Sequence, residues 1–172
     1  MNTSLRREIA MLTLVLSACG GGGSGNSDGL CGFAGSARVV EVTQTCPSCT
    51  VTNVQSVSDS SLRNGADVDI DSASSTVAIR VTKTDEGDFP AGFSPGYYFE
   101  ASEGGPGVEI VLYRDGNRLP APTFYVVVDS PPPKYAAVSS EEEFDAVEVR
   151  LTTASLDGRA FERILEICAD IH

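Results

Sequence analysis

The chain has 172 residues, 41% of them hydrophobic, with 24 acidic against 12 basic side chains and a formal net charge of −12. Such acidity argues against a nucleic-acid partner, because neutralising phosphates requires a basic face. Trp is absent and the only His is the terminal His172, which removes Ser/His/Asp and Cys/His triads and His-based zinc sites.

The first predicted element is a secretory leader, with a basic stretch at Arg6 and Arg7, an apolar run from Ile9 to Leu16 and small residues at Ser17 and Ala18. That run falls short of the roughly 20 apolar residues a membrane-spanning helix needs, and no later segment approaches this length. Leu16-Ser17-Ala18-Cys19 resembles the lipobox of bacterial lipoproteins. The resemblance implies a diacylglyceryl group on the Cys19 thiol, removal of residues 1–18, and Cys19 as the acylated first residue of the mature chain. The alternative is an ordinary signal peptide with an incidental Cys. Arg6-Arg7 matches a twin-arginine signal only weakly, since Leu5 and Glu8-Ile9 do not complete that motif. Gly20 after the acylated Cys, in place of Asp, favours sorting to the outer membrane in a host with two membranes. The expected location is the cell envelope, with the membrane as a partner through lipid on Cys19.

Residues 19–29 read as a tether, because Gly20 to Gly23, Ser24 and Gly25 behave as flexible coil. About ten such residues reach on the order of 17 Å, enough to hold a folded domain clear of head groups. Several acyl chains anchor stably where one binds only marginally. Removing 18 of the 172 residues leaves 154, with a net charge of −13 once Arg6, Arg7 and Glu8 are gone. Residues 30–172 then form a single domain with its own core. Its acidity is most simply that of a solvated surface.

With Cys19 acylated, Cys31, Cys46, Cys49 and Cys168 remain, an even set in an oxidising compartment. Two disulfides are expected from three possible pairings. The favoured pairs are Cys31 with Cys168, tying the ends of the domain, and Cys46 with Cys49 across Pro47-Ser48. A Cys-x-x-Cys pair is also the working unit of thiol oxidoreductases, which lower a thiol pKa with a helix N-terminus just after the first Cys. Thr50 to Ser56 favours strand and loop instead, so a structural turn is expected and redox use of Cys46 and Cys49 is the lesser alternative.

Alternation of apolar and polar residues then recurs along the chain. Arg38 to Thr43 reads as a strand with Val39 or Val40 inward, and Val51, Val54 and Val57 lie in a second apolar segment. Thr76 to Thr82 is the clearest strand, with Val77, Ile79 and Val81 on one face. Tyr97 to Glu100, Val108 to Tyr113 and Thr123 to Val128 follow, with Asp115-Gly116-Asn117 as a hairpin turn between the last two. Pro131-Pro132-Pro133 starts a loop, and Phe144 to Leu151 alternates again. The last segment fits a helix face through Phe161, Ile164, Leu165 and Cys168, or a strand face through Leu165, Ile167, Ala169 and Ile171; strand is preferred. About eight short strands separated by Gly, Pro, Asp and Ser turns indicate an all-β sandwich or jelly roll.

Several pieces occur in a familiar order. Val57 to Leu62, Ala66 to Ile70, Phe89-Pro90-Ala91-Gly92, Tyr113-Arg114-Asp115-Gly116 and Phe144 to Val149 resemble elements of galactose-binding-like (discoidin-type) β-sandwich modules of bacterial surface proteins. The resemblance covers about Cys46 to Ile171 and implies a C-terminal closing strand. Ser60 stands where such modules usually carry Gly, and Arg63-Asn64-Gly65 replaces a Thr-aromatic step. Fold likeness of this kind implies a class and no ligand.

The expected function is a non-catalytic surface module binding glycan or another envelope component through loops at one end of the sandwich. Candidate contacts are Asp59, Asn64 and Asp67, with Tyr97, Tyr98, Tyr113 or Tyr135 as stacking platforms or, more simply, half-buried sandwich residues. Calcium is a lesser cofactor reading: Asp67, Asp69 and Asp71 alternate with Val68 and Ile70 and can meet one ion if their strand lies at a sheet edge. Glu141-Glu142-Glu143 reads as a solvated loop. The alternative function is a structural lipoprotein docking a partner protein. A two-carboxylate hydrolase cannot be argued, since 24 acidic residues make some pair unavoidable.

Overall fold

The computed structural model describes residues 14–17, 31, 33, 36–103, 106–122, 125–128, 133–153 and 158–171. The chain runs through β1 (Leu14–Ser17), β2 (Arg38–Gln44), β3 (Thr50–Thr52), a 3-10 turn (Val54–Ser58), β4 (Ala66–Asp71) and β5 (Thr76–Lys83). It continues through β6 (Gly96–Glu103), β7 (Gly107–Arg114), β8 (Asn117–Arg118), β9 (Tyr125–Val128), β10 (Lys134–Val138), β11 (Ala146–Thr152) and β12 (Arg159–Cys168). The strands form two antiparallel sheets in the orders β1-β2-β5-β11-β7-β8 and β3-β4-β12-β6-β10-β9. The protein is an all-β sandwich, as its alternation predicts.

The core lies between the sheets. Val40, Val77, Ile79, Val81, Ile110, Leu112, Val147, Val149 and Leu151 fill it from the first sheet. Ala66, Val68, Ile70, Tyr97, Phe99, Ala136, Val138, Ile164 and Ile167 meet them from the second. Period-2 alternation produces this directly, because successive strand side chains point to opposite faces. Val40 is the inward residue of the Val39/Val40 pair, at 2% exposure. Phe33, Phe89 and Phe144 close one end, with ring centroids 4.9 Å apart for Phe33–Phe89 and 5.3 Å for Phe89–Phe144.

Several local expectations need correction. Among the described residues twelve strands build the sandwich for which about eight were expected; of the additions, β1 and β8 are short and β10 carries weak alternation. Asp115 and Gly116 have φ of 51° and 75°, the two positive values of a type I′ turn. That turn joins β7 to the two-residue β8, whereas β9 belongs to the other sheet. Val54 and Val57 sit in the 3-10 turn, apart from Val51 in β3. The closing strand starts earlier than Leu165, and its register against β6 shifts between Arg163 and Ile164 and again between Ile164 and Glu166. Such irregularities break period 2, which is why the segment also reads as a helix face.

Both expected disulfides are present. Cys31 is bonded to Cys168 with a Cα–Cα distance of 4.6 Å, and Cys46 to Cys49 at 5.4 Å. Around the first bridge, Tyr98, Ala137, Leu165 and Ile171 form a second apolar cluster, flanked by Leu62 and Tyr135. The second closes a tight turn in which the Cys49 N–H donates to the Cys46 carbonyl at 3.4 Å. The strand Thr50–Thr52 follows it, so no helix N-terminus sits beside these sulfurs. Replacing Cys46 and Cys49 together by Ala is expected to cost at most about 2 kcal/mol, since only a short loop is closed. Thermal unfolding followed by circular dichroism should show a fall in Tm of no more than about 8 °C.

Part of the expected leader lies within the fold of the full chain. Leu14–Ser17 runs antiparallel to β2, with Leu14 opposite Val42 and Leu16 opposite Val40. The rest of the expected leader, the expected acylation site Cys19 and the expected tether to residue 29 lie outside the described residues. So does His172.

Candidate functional site

The segment from the 3-10 turn to the start of β4 gathers the polar residues singled out in the sequence. Asn53 and Ser60 both hold left-handed backbone conformations, φ 55° and 63°. The Ser60 value explains why a Gly suits this position in similar loops, since only Gly adopts it without steric cost.

Asp59 and Asn64 are brought together. Asp59 Oδ1 accepts from the Ser61 backbone N–H at 2.9 Å, and Oδ2 accepts from Asn64 Nδ2 at 2.5 Å. Ser61 Oγ donates to Asn64 Oδ1 at 2.9 Å, which completes a small ring of side chains at the loop tip. Partial burial pushes the Asp59 carboxyl above its usual value, against the opposing hydrogen bonds from Ser61 and Asn64.

Asp67 is engaged elsewhere. It stands on β4 opposite Arg163 of β12, whose Nη1 lies 3.2 Å from its Oδ1. Asp71 is likewise paired, with Arg159 Nε at 2.9 Å. β4 runs between β3 and β12, so the edge strand that calcium binding by Asp67, Asp69 and Asp71 requires is not what the fold supplies. Among the described residues, no three His, Cys, Asp or Glu side chains converge on a metal-sized space.

An open groove of about 630 Å³ lies between the 3-10 turn and the foot of β4. Asn53, Gln55 and Ser56 line one side; Asn64, Gly65 and Arg163 line the other. Gly65 keeps this wall tight: a Cβ there would stand 2.5 Å from the Ile164 carbonyl oxygen. Sequence reading singled out Asn64 here and missed Gln55 and Arg163. Neither amide atom of Gln55 reaches solvent or has a hydrogen-bond partner among the described residues. Buried amides are normally satisfied, so this side chain is held at a cost.

Below the loop lies a buried carboxylate that sequence reading also missed. Glu166 on β12 is 1% exposed, and both its oxygens accept from the Ser60 N–H at 3.2 Å. Burial pushes its pKa up to about 8, against the lowering effects of the Ser60 hydrogen bond and the Arg38 guanidinium. Arg38 itself donates to the Phe33 carbonyl at 3.0 Å and to Ser60 Oγ at 3.5 Å. Loop 59–61 is thus latched to both sheets.

Of the candidate tyrosines, Tyr97 lies in the core between the sheets, whereas Tyr98 and Tyr113 belong to smaller apolar clusters outside it. Tyr97, Tyr98 and Tyr113 are 1%, 5% and 6% exposed. Tyr97 donates its hydroxyl to Glu162 at 3.1 Å and Tyr113 to Glu148 at 3.1 Å. Tyr135 is half-buried, edge-on to Tyr98 with centroids 5.8 Å apart. None of the four offers an open ring face beside the groove. Of the acidic triplet, Glu143 pairs with Arg114 at 2.8 Å.

Comparisons with known protein families, curated proteins and solved structures found no match.

Proposed function

We propose that the chain is an exported, lipid-anchored and non-catalytic module of the bacterial cell envelope, and that it binds an envelope component, a glycan foremost, in the groove beside the 3-10 turn. The observation that carries this reading is the set of groups that line that groove: the Asn64 amide and the Arg163 guanidinium, with the unpartnered Gln55 amide shut from solvent just behind them and turned out to a ligand by rotation about its side-chain bonds. Amides both donate and accept and the guanidinium donates, which is the chemistry that reads hydroxyl and acetamido groups. Without an aromatic platform the ligand is held by hydrogen bonds, so each site binds weakly. Many copies tethered on one membrane offset that by multivalency. The lipobox supports the address, and the tether following Cys19 supports presentation of the domain at a distance from the lipid surface.

Gln55 supplies the test. Gln55→Leu removes an amide that has no partner among the described residues and keeps its approximate volume. Stability should hold or rise, by up to about 2 kcal/mol, as the unsatisfied group disappears. On an array of bacterial envelope glycans the wild-type domain should bind a defined subset, and the variant should lose about tenfold in affinity, the loss of one to two hydrogen bonds. Absence of binding to every glycan, or binding indifferent to Gln55→Leu, overturns the reading.

A further inference from the structure

We infer that the β2 edge of the mature domain is a strand-acceptor site, which takes an extended segment of another envelope polypeptide, apolar at alternate positions, antiparallel to Val39–Val42. The inference concerns a surface separate from the groove, and it rests on the proposed removal of residues 1–18.

The backbone bonding of β2 shows which groups are involved. At its two ends the Thr45 N–H donates to the Thr76 carbonyl at 2.9 Å and the Thr84 N–H to the Ala37 carbonyl at 2.8 Å. Between them the register with β5 is unbroken from Arg38 opposite Lys83 to Gln44 opposite Val77. Strand backbone groups alternate in direction, so odd-numbered residues of β2 bond to β5 and even-numbered ones face away. Val40 and Val42 therefore turn their N–H and C=O groups to the outer edge. In the full chain that edge is covered by β1, with Leu16 opposite Val40 and Leu14 opposite Val42. Cleavage before Cys19 takes this strand away.

The uncovered edge differs from the other three. β8, β3 and β9 end their sheets with two, three and four residues, whereas β2 has seven. Natural edges are guarded by shortness, Pro, Lys or bulges. β2, Arg-Val-Val-Glu-Val-Thr-Gln, has no Pro, no Lys and no register break. Such an edge is a template for main-chain pairing, with side-chain alternation giving specificity.

The chemistry of the occupant follows from the faces of β2. Val40 is buried and Val42 packs against the same core, so the positions opposite them call for apolar residues. Glu41 lies between, on the outer face, and calls for a cation opposite it. A second copy of this chain suits the edge poorly: pairing two β2 strands in full overlap about Glu41 sets Glu41 directly against Glu41, which is destabilising, and joins two domains of net charge −13 each.

The test uses the lipidated chain purified from host membranes into nanodiscs, with empty nanodiscs as blank. Its intact mass is measured first. A chain beginning at acylated Cys19 satisfies the premise; a chain retaining the leader overturns both the lipoprotein reading and this one. The probe is a fluorescein-labelled peptide Leu12 to Ser17 with flanking lysines, followed by anisotropy. The mature chain should bind it saturably, and the unprocessed Cys19→Ala chain, with β1 in place, at least tenfold more weakly. N-methylation of the peptide at the Leu14 and Leu16 positions should abolish binding, and at Val15 leave it intact, because only the first two amides face β2. Lys at the Val15 position should tighten binding by up to about fivefold, the strength of a cross-strand ion pair. Processed chain that does not bind, binding indifferent to the methylation pattern, or a dimer that excludes the peptide overturns the strand-acceptor site and leaves the lipoprotein reading standing.

Discussion

Replacing Cys31 and Cys168 together by Ala is expected to lower the unfolding free energy by about 5 kcal/mol, which is a third or more of the stability of an ordinary domain. The bridge joins residues separated by 137 positions. A cross-link over so long a loop removes a large share of the conformations open to the unfolded chain, and the loss grows with the logarithm of loop length. It also pins the start of the domain across the outer face of the second sheet, beside Tyr98, Leu165 and Ile171. Two residues on, Phe33 enters the main core at 0% exposure. Thermal unfolding should show a fall in Tm of about 10–20 °C, about twice that of the Cys46/Cys49 double variant or more. A fall no larger than that of the short bridge would show that the long one constrains little.

Glu166 makes stability depend on pH in the direction opposite to most carboxylates. Its pKa is raised from 4.5 to about 8, by burial first and by the nearby Asp59 as a further contribution. Below pH 4.5 the folded and unfolded chains both hold this proton, so the group's contribution is fully present. Between pH 4.5 and 8 the unfolded chain releases the proton while the folded chain keeps it, and stability falls by up to about 1.4 kcal/mol per pH unit. Above pH 8 both are ionised and the loss is complete. Glu166→Gln keeps the shape and an oxygen that accepts the Ser60 N–H, and it does not ionise. The variant should match the wild type at pH 4 and exceed it by a few kcal/mol at pH 9. Urea unfolding of both proteins across this range reads the difference directly. A variant destabilised at pH 9 would show that the charged carboxylate, held by Ser60 and Arg38, is what the latch requires.

The elements legible in the sequence are those in which local pattern and tertiary environment agree. Thr76–Lys83 and Ala146–Thr152 alternate because each packs one face on the core, and they pair with each other from Thr76 opposite Thr152 to Thr82 opposite Ala146. The Asp115-Gly116 turn is legible because its residues tolerate positive φ. Lys134–Val138 carries a weak signal, since small Ala136 and Ala137 contribute little alternation although both are buried. Glu162 and Glu166 are charged residues that no local pattern marks as buried, yet they are 2% and 1% exposed. The register shifts of β12 and partners 65 and 106 residues away, Tyr97 and Ser60, account for that. In the candidate site Asp59 and Asn64 were legible as loop residues, and the structure joins them. Arg163 was not, because its partner Asp67 lies 96 positions away and only strand pairing brings the two together. Gln55 gives no local signal at all: its significance lies in a buried amide without a partner, a property of the packed loop.

The address on which the functional reading depends is tested most directly at Cys19. The decisive measurement is the intact mass and N-terminal sequence of the chain purified from membranes of its host. The expected result is a polypeptide lacking residues 1–18, beginning at Cys19 and heavier than its amino-acid mass by a thioether-linked diacylglyceryl group. A chain that retains the leader, or one that begins at an unmodified residue and partitions into the aqueous phase, would contradict it.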